Sequence, residues 1–416
     1  MSVNVAGKKI LIISGGVEAL PIIEKAIEMG LYVLVSDGDR SAPGLALAHE
    51  AIIASTYDAE KTLELARATD PNRRISGVMS AAADVPRTVA VVADAMGLPG
   101  PSPRSALLAG NKFLMKMAFK DMGLAVPWFA MINGPDELKA LAQGSSRAFV
   151  VKPVDSRGAR GVIRLTKDVD LGWAFFEAKK NSPSGAVMAE EWIDGIQLST
   201  ESVVAGGAVA TPGLSRRNYE YIERFAPYVI ENGGDLPARL EEQTLSAVNE
   251  LILGAARAFG LDDWTIKGDI VLSDKGPVII EAAPRLSGGY FCTHTIPLSS
   301  GVDIVEAAIL LALGIKVSVA DYNPDFTKFI SQRFWFPEEG LVKEVRRDSG
   351  LESMAGLEMM RLHVREGDTI SPMVSHPSRA GMVITSGRSR EEAAARAVAA
   401  ISAVNIITEK PLRMAR

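Results

Sequence analysis

The N-terminal part of the chain alternates short apolar runs with amphipathic stretches. Residues 9–14 (KILIIS) form a β-branched run that ends in Gly15-Gly16. Residues 17–29 carry apolar positions at helical spacing and stop at Gly30. Residues 31–36 (LYVLVS) are a second apolar run, closed by Asp37-Gly38-Asp39. Strand, glycine turn, helix, strand, acid is the order of a βαβ unit with a parallel sheet. The pattern continues with strands at 51–54 and 77–80 and helices at 59–68 and 85–96, predicting an open, doubly wound α/β domain. SGGVEA after the first run is not G-x-G-x-x-G and lacks the third glycine, which disfavours a dinucleotide site and an NAD-dependent dehydrogenase. Asp37 is left with two jobs, binding a substrate or capping its loop.

The proline-rich LPGPSP at 98–103 is the first clear punctuation. Beyond it, residues 105–122 read as one helix with Asn111 and Lys112 in its middle. From Phe149 the pattern turns to short strands of antiparallel character, at 149–153, 162–165, 186–193, 200–204 and 208–211, with a hairpin signal at Gly206-Gly207. Helices are predicted at 171–179 and 240–259, and a hairpin of strands 267–272 and 278–281 closes over Asp274-Lys275-Gly276. The last part is again mixed, with strands at 329–336, 359–364 and 382–386 and an Ala-rich helix at 390–404. Its charged residues form no recognisable chemical cluster, so it reads as a packing and dimerisation lobe.

Composition narrows the class. With 416 residues, 47% hydrophobic and 23% charged, the chain has the make-up of a folded protein of several domains. A formal charge of −5 argues against a nucleic-acid partner. Cys292 is the single cysteine, which excludes an internal disulfide and a cysteine-rich zinc site and suits a reducing, cytoplasmic setting. No run approaches the roughly 18 apolar residues of a spanning helix, so no membrane partner is expected.

Four features of the middle region carry chemistry. Lys152 stands at the end of the strand FVVKP, where Pro153 stops the ladder. The following loop DSRGARG sets Ser156, Gly158 and Gly161 among arginines, a composition that lets backbone N–H groups turn toward an anion. Glu190-Glu191-Trp192-Ile193 ends an apolar strand with acids and then a flat apolar wall, either an ordinary edge or a hinge reading an adenine. Asp269 and Glu281 lie on the two strands of one hairpin, where side-by-side carboxylates repel unless a hard cation joins them. Arg285 follows Glu281 closely and leads into the glycine turn Ser287-Gly288-Gly289.

In this order the motifs VVKPVDSRGARGV, EEWIDG and KGDIVLSDKGPVIIEAAPRLSGG resemble the ATP-grasp superfamily of carboxylate–amine ligases, and in particular its amino-acid ligases and carbamoyl-phosphate-synthase-like members. The resemblance implies an α/β fold with a pre-ATP-grasp doubly wound parallel sheet at 1–101. It also implies an ATP-grasp domain of two α+β subdomains at 102–316 and a C-terminal α/β lobe at 317–416. It implies ATP and Mg2+ (or Mn2+), with Lys112 and Lys152 on the nucleotide phosphates and the loop carrying Ser156, Gly158 and Gly161 closing over them. Glu190 would meet the adenine amino group, Glu191 and Ile193 would read its edge through the backbone, and Trp192 would stand beside it. Asp269 and Glu281 would hold the metal, and Arg285 would steady the transferred phosphoryl group.

Two positions depart from the family pattern. Gln197 stands where a ribose-binding glutamate is common, and Ala283 where an asparagine metal ligand is common. The implied reaction is ATP-dependent, ADP-forming activation of a small carboxylate as an acyl phosphate, followed by attack of an amine, with an amino acid as a candidate substrate. His294 is a candidate proton acceptor, and Arg216, Arg217, Asn218, Tyr219 and Arg224 lie where such enzymes often hold the carboxylate. Family habit implies a homodimer. Alternatives are a purine-pathway or carboxylase-type enzyme using formate, bicarbonate or a ribonucleotide, and a non-catalytic ATP-binding module.

Overall fold

The computed structural model describes residues 4–410. They form two compact units, and the chain passes between them several times: residues up to 126, 199–214 and 239–325 make the first, residues 127–198, 215–238 and 326 onward the second. Among the described residues no helix is long and apolar enough to cross a membrane.

The first unit begins with the parallel sheet expected from the alternation of runs. Its order is Glu50–Ile53, Tyr32–Asp37, Lys9–Ile13, Ile75–Ser80. Every residue of Lys9–Ile13 is buried, as an inner parallel strand covered on both faces requires. The order reverses at this strand, so the turn after it lies at a topological switch point, where open α/β sheets place their ligands. Asp37 caps its loop: Gly15 N–H donates to one carboxylate oxygen at 2.8 Å and Asp39 N–H to the other at 2.9 Å.

The helix expected over 105–122 is two helices, Pro103–Gly110 and Lys112–Asp121. Asn111 between them is extended and its side chain accepts from Phe113 and Leu114 N–H at 3.0 and 3.1 Å. Asparagine competes with the helix for backbone donors and is favoured as a cap, so it starts a new helix rather than continuing the old one. Lys112 is therefore the first residue of a helix and not the middle of one. An antiparallel hairpin, Trp264–Ser273 with Gly276–Ala283, follows the long helix Glu242–Phe259 and pairs on toward Ile196–Ala205 and Ala208–Arg217.

The second unit holds an antiparallel sheet in the order Phe129–Ile132, Val187–Glu191, Phe149–Pro153, Ile163–Arg164, with helices Pro135–Gln143 and Leu171–Lys180 packed on its apolar side. A second run of strands, Gly234–Leu236, Phe329–Phe334, Gly381–Gly387 and Leu357–Leu362, packs beneath helix Arg390–Ser402. The helix stops two residues before the expected 404, because Val404 opens a strand, Val404–Glu409, that pairs with Gly340–Arg347. Neither strand was expected from the sequence: both are half solvent-facing, and Gly340–Arg347 is rich in charge, which blurs the alternation.

Candidate active site

The candidate residues divide into two sets, one in each unit. In the second unit, Val150 stands opposite Glu190 across the antiparallel pair, so Lys152 and Glu190 are diagonal neighbours on one face. Lys152 Nζ lies 2.9 Å from Glu190 Oε2, with both side chains almost fully buried. A buried lysine is stable only against an opposite charge, and the strand register supplies it. Glu191 continues the strand, its N–H donating to the Trp128 carbonyl at 2.8 Å while its carboxylate meets Arg147 at 3.3 Å. Trp192 N–H donates to the Ala148 carbonyl, its indole N–H reaches Asp194, and the Arg164 guanidinium lies over its ring. Ile193 and Gln197 follow on the same stretch of chain.

The loop between Lys152 and the strand Ile163–Arg164 is built to bend. Gly158, Ala159 and Gly161 have positive φ, and a Cβ on Gly161 would meet Asn181 at 2.7 Å. Asp155 ties its root to Ser182 Oγ and Ser184 N–H. The Gly158 carbonyl accepts from His376 N–H at 3.0 Å, and Pro377 packs against that glycine. Ser156 starts this turn.

In the first unit, Asp269 and Glu281 are direct register partners of the hairpin, as the spacing across its turn implied. Each carboxylate has its own ammonium partner: Lys267 on Asp269, and Lys112 at 3.5 Å from Glu281. Lys112 reaches it because Asn111 begins the helix there. Two carboxylates are a hard-oxygen donor set of the kind magnesium takes together with water and phosphate oxygens, so the pair fits the ion. Among the described residues no group of three or more ligating side chains gathers. The remaining coordination would fall to non-protein oxygens, and Ala283 adds none.

Arg285 Nε donates to Asp84 Oδ1 at 3.0 Å. Burial pulls its pKa down, but Asp84, Glu281 and Glu201 outweigh that and hold it above its usual value. Glu201, fully buried, accepts from both the N–H and the hydroxyl of Ser287, and burial drives its carboxyl up to about 7. Gly289 N–H donates to Glu18 Oε2 at 2.7 Å. His294 lies in the π-helical turn Phe291–Thr295, edge-on to Tyr290 and 2.9 Å from Thr293 Oγ1. Cys292 is buried, and that burial pushes its thiol well above the usual range.

The sequence reading passed over Glu18, Asp84, Glu201 and Lys267. Glu201 had a signal: it is the one charged residue in the strand Ile196–Ala205, and a charge that a strand buries asks for a partner. The last third of the chain also holds more than the packing lobe expected of it. His376 and Arg379 gather on Glu231 with Arg217, and Arg333 and Arg390 meet on Asp235. These partners are separated by up to 155 residues in sequence, beyond any local pattern.

Comparison with known proteins gives the same kind of fold and chemistry. Residues 109–289 match the family described as ATP-grasp domain, and residues 333–409 the family described as L-amino acid ligase C-terminal domain 2. The chain is 24% identical over 414 residues to the formate-dependent phosphoribosylglycinamide formyltransferase of Psychromonas ingrahamii, covering 97% of each chain. It is 27% identical over 226 residues to the D-alanine–D-alanine ligase of an Azoarcus species, covering 52% of this chain and 70% of that one. The crystal structure of the L-amino acid ligase from Bacillus licheniformis superposes with a TM-score of 0.82 at 22% identity, covering 97% of this chain and all of the other.

Proposed function

We propose that this chain, an enzyme carrying an ATP-grasp domain and joining a carboxylate to an amine with ATP, takes an amino acid as its carboxylate substrate. The observation that carries the reading is the match of residues 333–409 to the L-amino acid ligase C-terminal domain beside the ATP-grasp match. A carboxylate is a poor electrophile; its phosphorylation by ATP gives an acyl phosphate with a good leaving group, which the amine then attacks, releasing ADP and phosphate. Phosphoryl transfer needs positioning and charge neutralisation more than covalent help.

In this reading Lys152 and Lys112 bind the phosphates, and the loop with Ser156, Gly158 and Gly161 covers them and excludes water. Glu190, the backbones of Glu191 and Ile193, and Trp192 hold the adenine, with Gln197 on the ribose through a neutral hydrogen bond. Lys152 and Glu190, already paired, would exchange that contact for phosphate and adenine. Asp269 and Glu281 would hold magnesium or manganese, whose charge offsets that of the phosphate oxygens. Arg285 stabilises the transferred group, and His294 takes the amine proton. A cytoplasmic homodimer completes the reading, with sedimentation as its check on assembly.

The test is ADP and phosphate release with Mg-ATP and a mixture of L-amino acids. Lys152→Ala and Glu281→Ala each remove turnover by at least about a hundredfold while the variants stay folded. Near-wild-type rates in both would overturn the site assignment. A second reading has formate as the carboxylate, supported by the full-length match to the formate-dependent enzyme. Turnover with formate and phosphoribosylglycinamide, and none with amino acids, would favour it.

A further inference from the structure

The segment from Arg285 to Gly289 is met at every second residue by a carboxylate from a different part of the first unit, at Arg285 through the guanidinium and at Ser287 and Gly289 through the backbone N–H. Asp84 takes Arg285, Glu201 takes Ser287, and Glu18 takes Gly289. Glu201 differs from the other two because it has no exposure at all. Its strand neighbours from Thr200 to Val204 are equally buried, so an apolar residue would pack there with no charge to desolvate. A glutamate in such a place needs its donors, and it has them: Ser287 N–H at 2.8 Å on one oxygen and the Ser287 hydroxyl on the other. Room is left for it by Gly213 on the adjacent strand, where a Cβ would come within 2.8 Å of the Glu201 Cβ.

Ser287 is saturated from all sides. Its carbonyl accepts from Cys292 Sγ at 3.0 Å, so its N–H, hydroxyl and carbonyl all have partners. Shortly after it, Tyr290 has φ of 60°, a left-handed conformation that a side-chain-bearing residue keeps only when its surroundings hold it there. A π-helical turn, Phe291–Thr295, follows. Before it, Arg285 Nη1 donates to the Leu286 carbonyl, so the direction of the guanidinium depends on the course of this loop.

We infer that Glu201 is a positioning residue for phosphoryl transfer: by holding both donors of Ser287 it fixes the loop that aims Arg285. The inference rests on the role proposed for Arg285. Glu201 is neither a metal ligand nor a nucleotide contact in that reading, so removing its carboxylate should alter the rate of the chemical step and not ATP affinity. The raised pKa agrees, since the fold keeps the acid in place although burial disfavours its charge.

Two measurements on the full-length protein test this. One is amide hydrogen exchange at Ser287 and Gly289. The other is steady-state phosphate release with Mg-ATP and an L-amino-acid mixture, for wild type, Glu201→Gln and Ser287→Ala. In Glu201→Gln the Ser287 amide should exchange at least about tenfold faster and kcat should fall about ten- to a hundredfold, with KM for ATP within about twofold. Ser287→Ala should lose less, and the double variant no more than Glu201→Gln alone. Unchanged amide exchange, or faster exchange with unchanged kcat, overturns the inference. So does a parallel fall of kcat, ATP affinity and melting temperature, the mark of a purely structural residue. If Glu201→Gln does not fold, Ser287→Ala carries the test, and an unchanged kcat there overturns it. A wild type silent with amino acids would fail the functional reading, while the exchange rates would still decide whether Glu201 fixes the loop.

Discussion

Each unit buries one glutamate whose acidity is strongly altered, and the two move in opposite directions. Burial raises Glu201 of the first unit to about 7; the two Ser287 donors, and after them the charges of Arg285 and Lys267, pull the other way and only partly compensate. Burial acts on Glu231 of the second unit as well, yet Arg217 and Arg379 overcome it and bring the carboxyl to about 2. Arg217 Nε donates to Glu231 Oε2 at 2.7 Å, and Arg379 lies 3.8 Å from the other oxygen. Neutral donors from one serine, with cations that do not touch the carboxylate, do not repay the water lost around a charge, whereas two guanidiniums against it do. Depth alone therefore does not set the charge of a buried acid; the formal charge of what touches it does. His376 belongs to the same cluster: burial, and then Arg379, lower it to about 3, so it is neutral at neutral pH.

The largest effect expected from this contrast is at Glu231. Glu231→Gln leaves Arg217 and Arg379 facing each other without a carboxylate and should cost about 3–5 kcal/mol, read from urea unfolding at pH 7. A loss under about 1 kcal/mol would mean that the guanidiniums find other partners and the contrast fails.

The next is the pH dependence. Glu201 has a native pKa of about 7 against an ordinary 4.5, so its contribution to stability is full below pH 4.5 and is lost as pH rises through about 7. The loss is roughly 3 kcal/mol. Glu231 has the opposite sign, its contribution present above pH 4.5 and lost as pH falls toward about 2. His376 contributes above pH 6.5 and loses that contribution as pH falls toward about 3, so it opposes Glu201 between pH 4.5 and 6.5. Urea midpoints from pH 4.5 to 8 should show Glu201→Gln gaining on wild type toward the alkaline end; parallel curves would sink the assignment.

The smallest effect concerns Cys292, whose thiol is raised first by burial and then by the Glu201 charge. Thiol labelling of the native protein should be slow and should quicken only about a few-fold in Glu201→Gln. A rate equal to that of the unfolded chain would show that the residue is not enclosed.

The carboxylate pair that could be read from the sequence is the one whose partners are set by a single tight hairpin. Asp269 and Glu281 across one hairpin follow from alternation and turn position, whereas Lys152 and Glu190 were visible only as separate strand-end motifs and their pairing came from the strand register. The glycines of the loop after Lys152 were equally visible, because positive φ at Gly158 and Gly161 is a local demand. The N-cap role of Asn111 was missed although the residue type announces it, since the apolar spacing of its two flanking helices runs on without a break. Glu201, Glu18 and Asp84 were missed for another reason: each matters through a backbone donor or guanidinium far away in the chain, on residues 285–289.

The sequence by itself determined the strands of the N-terminal parallel sheet, the mixed α/β class, the hairpin carboxylates and the resemblance that the ATP-grasp match bears out. These depend on periodicity and on spacing along one strand pair, which short-range sterics and hydrogen bonding enforce. Tertiary structure alone decided which charges are compensated. Whether a buried glutamate ends near 7 or near 2, and which carboxylate holds which residue of the Arg285 loop, depends on groups brought together from remote segments. Burial magnifies their fields in a way that local sequence pattern does not record.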